Sequence, residues 1–308
     1  MPDRGDCILI GTCTADVLVR PVPLAEPVGP GRLFEVDAIG VTTGGIVSNT
    51  GVALVRLGLD VTAAGLVGDD LFGREVQSRL AAEGVDTGCL VPHASLATST
   101  TAVLIDPSGE RSFAHHVGAC SGINLMFVRR HLAAIGSHRF AILGYVGLLP
   151  GLESDLGAAV GVIRAAGPLV VLETGGSGGT LGTVLPALPH VDLYVPSLDE
   201  ARHQTGLSDP RGIIECYRGH GLAGIVGVKL GSRGTLLCSA DGEWLEIPCI
   251  PAPGPVADTT GAGDSLLAGL VAGLTRGMPL GEAGLLGAAT AACCVTGVGA
   301  TAGLRSLE

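Results

Sequence analysis

The residues best suited to chemistry lie in one run, Asp258-Thr259-Thr260-Gly261-Ala262-Gly263-Asp264-Ser265, followed by apolar Leu266-Leu267-Ala268-Gly269-Leu270. A polar, glycine-rich turn opens there into an apolar helix. Its free backbone N–H groups and the positive end of the helix dipole make an anion site. Small residues let a phosphate come close to the backbone. A carboxylate at such a turn repels phosphate, so Asp264 needs a reason to be there. Taking a proton from an attacking hydroxyl is one. An ordinary capped helix with an aspartate in its first turn carries the same residues, so the run alone leaves both readings open.

Other motifs compete with it. Gly261-Ala262-Gly263-Asp264-Ser265-Leu266 lacks the third glycine of a dinucleotide fingerprint, and a proline-rich stretch precedes it in place of a buried strand. No Walker A sequence exists, because Lys229 is not preceded by glycine. Gly175-Gly176-Ser177-Gly178-Gly179 fits a nucleophile elbow after the apolar run Leu169–Leu172, with Asp199 and His220 downstream in hydrolase order. Fifty glycines make chance matches to such a pattern easy. Gly118-Ala119-Cys120-Ser121-Gly122 matches the cysteine form but follows no clear buried strand.

The surrounding pattern says what must hold these residues. Cys7–Gly11 is a short apolar run, read as a buried strand, and 12–43 reads as extended or loop structure. Gly44-Gly45 precedes a helical pattern from Ile46 to a glycine stop at Gly58. Val61–Val67 is a strand, and Gly68-Asp69-Asp70 turns into a helix that ends at Gly84. Thr98–Ile105 and Arg111–His115 form a hairpin about Asp106-Pro107-Ser108-Gly109. From about Leu132, strands (Phe140–Leu143, Leu169–Leu172, Leu193–Val195, Ile225–Leu230) alternate with helices, and two helices follow from about Gly263 and Gly281. Short strands apolar on both faces imply a parallel sheet covered on both sides. The early extended segment and the hairpin break this rhythm, and a small lid sheet accounts for both.

Composition narrows the class. The 308 residues are 47% hydrophobic but only 3% aromatic, so the core rests on Val, Leu, Ile and Ala. A net charge of −11 disfavours nucleic acid and anionic membrane as partners. Lys229 is the only lysine. Nine scattered cysteines with no C-x-x-C pair read as free thiols in a reducing, cytoplasmic setting. The opening Met1–Asp6 lacks the apolar core of a signal peptide. The uncharged stretch 284–304 is long enough to span a bilayer, but its Gly, Ala and Thr content suits a tightly packed helix and loop better.

Two separated segments resemble one family, the ribokinase-like carbohydrate kinases (the phosphofructokinase B family). Gly44-Gly45 with Asn49, Gly58 and Gly68-Asp69-Asp70-x-x-Gly73 is similar to its N-terminal signature, and 258–264 to its C-terminal one. The resemblance implies a three-layer α/β/α sandwich with a mostly parallel sheet, spanning 1–308 as one domain, under a β lid from about 14–43 and 97–117. It implies an ATP- and Mg²⁺-dependent kinase acting on a small sugar or nucleoside, with Asp264 as base and Gly261, Ala262 and Gly263 as anion hole. Asp16, Gly44, Gly45 and Asn49 match the sugar-contacting set. Lys229, Gly231, Ser232 and Gly234 match the nucleotide loop, and Glu200 the residue acting on Mg²⁺ through water. Asp258 and Thr260, with carbonyls near Val298 and Gly299, resemble a monovalent-cation site for K⁺. Gly109-Glu110-Arg111-x-Phe113 and Gly118-Ala119 are similar to the lid hairpin and its following loop. Some relatives dimerise through that lid. Departures stand at Ser197 for asparagine, at Leu172-Glu173-Thr174 for Asp-Pro-Asn, at Cys120, and near Gly147, where ribose-specific members carry a glutamate. A Ser177 hydrolase and a non-catalytic binding regulator are the competing classes.

Overall fold

The computed structural model describes residues 4–26, 29–176 and 178–307. The first part of the chain runs β1 (Gly5–Gly11), β2 (Thr14–Val19), β3 (Gly40–Gly44), α1 (Ile46–Arg56), β4 (Val61–Gly68), α2 (Leu71–Ala82) and β5 (Asp86–His93). The hairpin β6 (Thr100–Ile105) and β7 (Arg111–His116) follows, then α3 (Leu125–Arg130), α4 (Leu132–Gly136), β8 (His138–Gly144), α5 (Leu156–Ala165) and β9 (Leu169–Glu173). The remainder is α6 (Leu181–Val184), β10 (Leu193–Tyr194), α7 (Leu198–Thr205), α8 (Pro210–Gly219), β11 (Ile225–Lys229), β12 (Thr235–Cys238), β13 (Trp244–Ile247), α9 (Ala262–Thr275) and α10 (Leu280–Cys294).

Nine strands form the central sheet in the order β13-β12-β11-β10-β9-β8-β1-β4-β5. The pairings from β11 to β5 are parallel, and β12 and β13 close one edge antiparallel. Helices cover both faces, which is why all eight residues of β4 are buried. Strand alternation divides the core in two. Ile8 and Ile10 pack with residues of α3, α5, α7 and α8. Cys7 and Leu9 pack on the other face with α1, α2, α9 and α10. The second sheet is the expected lid, ordered β3-β2-β6-β7. This is the sandwich-plus-lid architecture anticipated above.

Two features differ from the expectation. β5 and the β12–β13 hairpin were not foreseen. β5 carries Gly88 and Pro92 and lies at the sheet edge, where such residues are tolerated. The stretch 284–304 is divided, because α10 stops at Cys294. Among the described residues no helix is long and apolar enough to cross a membrane, and all nine cysteines are free.

Helix α2 shows the local logic. The Asp70 carboxylate accepts from Gly73 N at 2.8 Å, capping the helix, and from Thr98 N at 2.8 Å, tying it to the strand that enters the lid. Helix α9 shows the opposite logic. Glycine inside a helix costs about 1 kcal/mol relative to alanine, yet α9 contains Gly269 and Gly273. A Cβ on Gly269 would meet Gly287 Cα of α10 at 2.6 Å and Leu286 O at 2.7 Å. The two helices touch backbone to backbone, and this contact sets the height of the α9 N-terminus over the sheet. Gly269→Ala is expected to destabilise the protein by about 1–3 kcal/mol through overpacking, despite its better helix propensity. An unchanged urea midpoint would sink this account of the α9–α10 seam.

Candidate active site

In open parallel sheets the carboxyl ends of the strands carry the site. Here β8 leads directly into Tyr145, β9 ends on Glu173 and β11 ends on Lys229. The N-terminus of α9 closes over these ends with its anion turn. Gly261 is the N-cap at φ 78°, a left-handed conformation that disfavours side chains. A Cβ there would also meet Ala300 at 2.5 Å. The first-turn N–H groups of Gly263 and Asp264 have no acceptor inside the helix. Ala262 N–H makes a long bond of 3.3 Å to Thr259 O.

Asp264 sits in that first turn and is buried. Its Oδ2 accepts from Tyr145 Oη at 2.6 Å and from Asn49 Nδ2 at 3.0 Å. Its Oδ1 accepts from Thr50 Oγ1 at 3.4 Å. Burial raises its pKa, while the bonds from Tyr145 and Asn49 and the charge of Lys229 oppose the rise. Asn49 and Thr50 are delivered by α1, whose entry is fixed by Gly45 at φ 81°. A Cβ on Gly45 would meet Thr12 O at 2.4 Å.

Above this floor lies Asp16, on lid strand β2. Thr14 Oγ1 donates to its Oδ1 at 3.0 Å, and burial pushes its carboxyl up. Gly44 leaves room for it, since a Cβ there would meet Asp16 Oδ2 at 2.2 Å. On the other side of the anion turn, Lys229, Gly231, Ser232 and Gly234 line a cavity of about 360 Å³. Its other lining residues include Ala262, Gly263, Ala288 and Ala292 among small ones and Ile250 and Leu266 among larger ones. Its walls are mostly apolar, which suits a flat aromatic base.

Lys229 Nζ donates to Glu173 Oε1 at 2.5 Å and lies 3.3 Å from where a Cβ on Gly263 would be. Burial works against the lysine charge, but Glu173 and Glu200 outweigh it and raise its pKa. Burial pushes the Glu173 carboxyl up to about 8 against the pull of Lys229. Glu200 closes a capping box at α7. Its Oε2 accepts from Ser197 N at 2.8 Å and Ser197 Oγ at 2.7 Å. Ser197, unusual beside the family pattern, is therefore used as a helix cap. It also pairs with Lys229 in a parallel bridge, bringing the Glu200 cap beside the lysine.

The structure thus gathers Asn49, Lys229 and the 261–264 turn around one point, with Asp16 and Gly44 on the lid side. Asp258 and Thr260 lie apart from that point and face Arg111 of the lid. Sequence reasoning missed Tyr145 and the use of Glu173. Tyr145 has φ 50° and follows a buried strand, and that position at a strand's carboxyl end was the available signal. Of the competing motifs, Ser177 lies outside the described residues. Asp199 pairs with Arg202, and His220 Nδ1 faces Cys216 O of its own helix. Cys120 is buried against Cys13, and burial raises its thiol pKa. That is the environment of an inert cysteine.

Comparison with known structures identifies the fold. The fold is that of Arabidopsis thaliana ribokinase in complex with ribose and ATP, at TM-score 0.86 and 22% identity over 98% of this chain and 96% of that one. It is shared with Burkholderia thailandensis nucleoside kinase in complex with inosine, at TM-score 0.76 and 20% identity over 97% and 94%. The architecture is therefore ribokinase-like. Haemophilus influenzae ribokinase is 27% identical over 99% of this chain and 97% of its own length. The pfkB family carbohydrate kinase pattern matches residues 6–307, and the chain belongs to that family.

The Glu173–Lys229 pair yields a stability test. Lys229→Met leaves Glu173 buried without its counter-charge, so the carboxyl holds its proton to still higher pH than in wild type, and the variant is expected to lose roughly 3–5 kcal/mol at alkaline pH. Burial holds the folded-state pKa of Glu173 above its unfolded value. The penalty is therefore absent below the unfolded pKa, grows as pH rises from there toward the folded pKa, and is full above it. Combining it with Glu173→Leu should recover most of the loss in urea unfolding. Additive losses in the double variant would refute the coupling.

Proposed function

We propose that this chain transfers the γ-phosphoryl group of ATP to a hydroxyl of a small sugar or nucleoside. The observation that carries the reading is a buried carboxylate, Asp264, inside the first turn of a helix whose N–H groups form an anion site. A base and an anion hole within one turn serve in-line transfer to a hydroxyl. In this reading Asp16, Gly44, Gly45 and Asn49 bind the acceptor under the lid. Asp264 Oδ1, held only by the long Thr50 bond among the described residues, takes the acceptor proton. Lys229 and the N–H groups of Gly261, Ala262 and Gly263 stabilise charge on the transferred group. The apolar cavity beyond Gly231, Ser232 and Gly234 takes the base of the nucleotide.

Mg²⁺ bound to the phosphates would neutralise part of their charge. The donor set fits such an ion held chiefly by nucleotide and water. No cluster of three or more His, Cys, Asp or Glu side chains suits a metal among the described residues. Yet Glu173 Oε2 is buried without a partner, beside Glu200. Those two carboxylates would hold the ion through water.

ADP release from MgATP should be stimulated by one class of a panel of sugars, sugar acids, sugar phosphates and nucleosides. Asp264→Asn should lower kcat by about 10²–10⁴-fold, the range of general-base catalysis, with nucleotide affinity little changed. Because burial raises the Asp264 pKa, the wild-type rate should fall on acidification at higher pH than an ordinary aspartate dictates. Full turnover in Asp264→Asn would remove it as the base.

A further inference from the structure

Asp258 is a buried carboxylate whose charge is compensated from across the molecule. Its side chain is only 6% exposed, so its charge needs a counter-charge close by. Oδ1 accepts from Thr260 N at 3.0 Å, and Oδ2 from Gly299 N at 2.5 Å. The counter-charge comes from 147 residues away. Arg111 of β7 donates through Nη2 to Asp258 Oδ2 and through Nη1 to Thr260 Oγ1. Its side chain is 17% exposed. The Cys294 thiol, meanwhile, faces the carbonyls of Thr260 at 3.4 Å and Ala300 at 3.2 Å. The resemblance implies K⁺ at Asp258 and Thr260, but these donors do not fit a bare cation. The carboxylate accepts three N–H groups, the Thr260 hydroxyl a fourth, and the carbonyls of Thr260 and Ala300 meet a thiol.

We propose that Arg111 takes the place of a monovalent cation at Asp258 and Thr260, so that phosphoryl transfer proceeds without K⁺. The inference rests on the kinase reading above. The planar guanidinium supplies one positive charge and two directed donors, matching a carboxylate and a hydroxyl side by side. Held this way, the 258–260 segment fixes the approach of the chain to Gly261 and the anion turn. Arg111 is a positioning residue that acts through that segment. Because it stands on the lid, the charge reaches the segment only with the lid down.

The test uses the full chain in tetramethylammonium buffer free of Na⁺ and K⁺, titrated with KCl or with choline chloride as the ionic-strength control. Wild-type ADP release with its best acceptor should be flat in K⁺. Arg111→Ala should lose about tenfold in rate, within the usual span of inter-site coupling, and regain most of it with K⁺ but not choline. Arg111→Lys should keep its rate without K⁺. A parallel arm follows the thermal unfolding midpoint, which K⁺ should raise in Arg111→Ala and leave unmoved in wild type. This arm needs no acceptor, so it still decides the matter if no substrate supports turnover and the kinase reading falls. Strong K⁺ activation of wild type would overturn the proposal. So would an Arg111→Ala variant that keeps its rate, or one whose loss and midpoint no cation moves.

Discussion

A carboxylate can be buried next to an anion site only if its own charge is held by fixed dipoles, and the placement of Asp264 obeys that constraint. Tyr145, Asn49 and Thr50 donate to it, and each comes from a different distance along the chain. Tyr145 requires β8 at the centre of the sheet. Asn49 and Thr50 require α1 to enter at a fixed angle, which Gly45 and Thr12 set. Asp264 itself requires α9 to lie at one height, which its glycine contact with α10 sets. The sheet, two helices and one strained residue converge on two oxygen atoms.

The same constraint recurs at two other places with different solutions. Glu173 is compensated by the one lysine, and Asp258 by an arginine that reaches down from the lid. All three carboxylates are deeply buried. Glu173 and Lys229 stand at strand ends and Asp264 in the first turn of a helix, each beside a fixed partner, since a buried charge left unpaired is costly.

Much of this was legible in the sequence. The glycine-rich run before an apolar helix announced a tight turn at the α9 N-terminus, since Gly261 must adopt a conformation that few other residues accept. Alternating apolar runs announced the parallel sheet, and the hairpin that broke the rhythm announced the lid. What could not be read were contacts across long separations. Tyr145 meets Asp264 over 119 positions and Arg111 meets Asp258 over 147. No local periodicity encodes such pairs. Arg111 appeared only as part of the lid-hairpin motif, and Asp258 only as part of a cation motif. β5 was hidden for a different reason. An edge strand needs one apolar face at most, so Gly88 and Pro92 disguised it as loop. Ser197 was visible as a departure from the family pattern, but its use as a cap depends on Glu200 turning back toward it.

Lys229 is the sole lysine of the chain and lines the apolar cavity beside the α9 N-terminus. Its side chain is 11% exposed, so the outer surface carries its positive charge on arginine and histidine. Reductive methylation, which needs a side-chain amine and spares thiols and hydroxyls, can therefore occur at one address among the side chains. Any such label would sit between Glu173 and the anion turn, which makes a single amine a reporter of whether that cavity is open or filled.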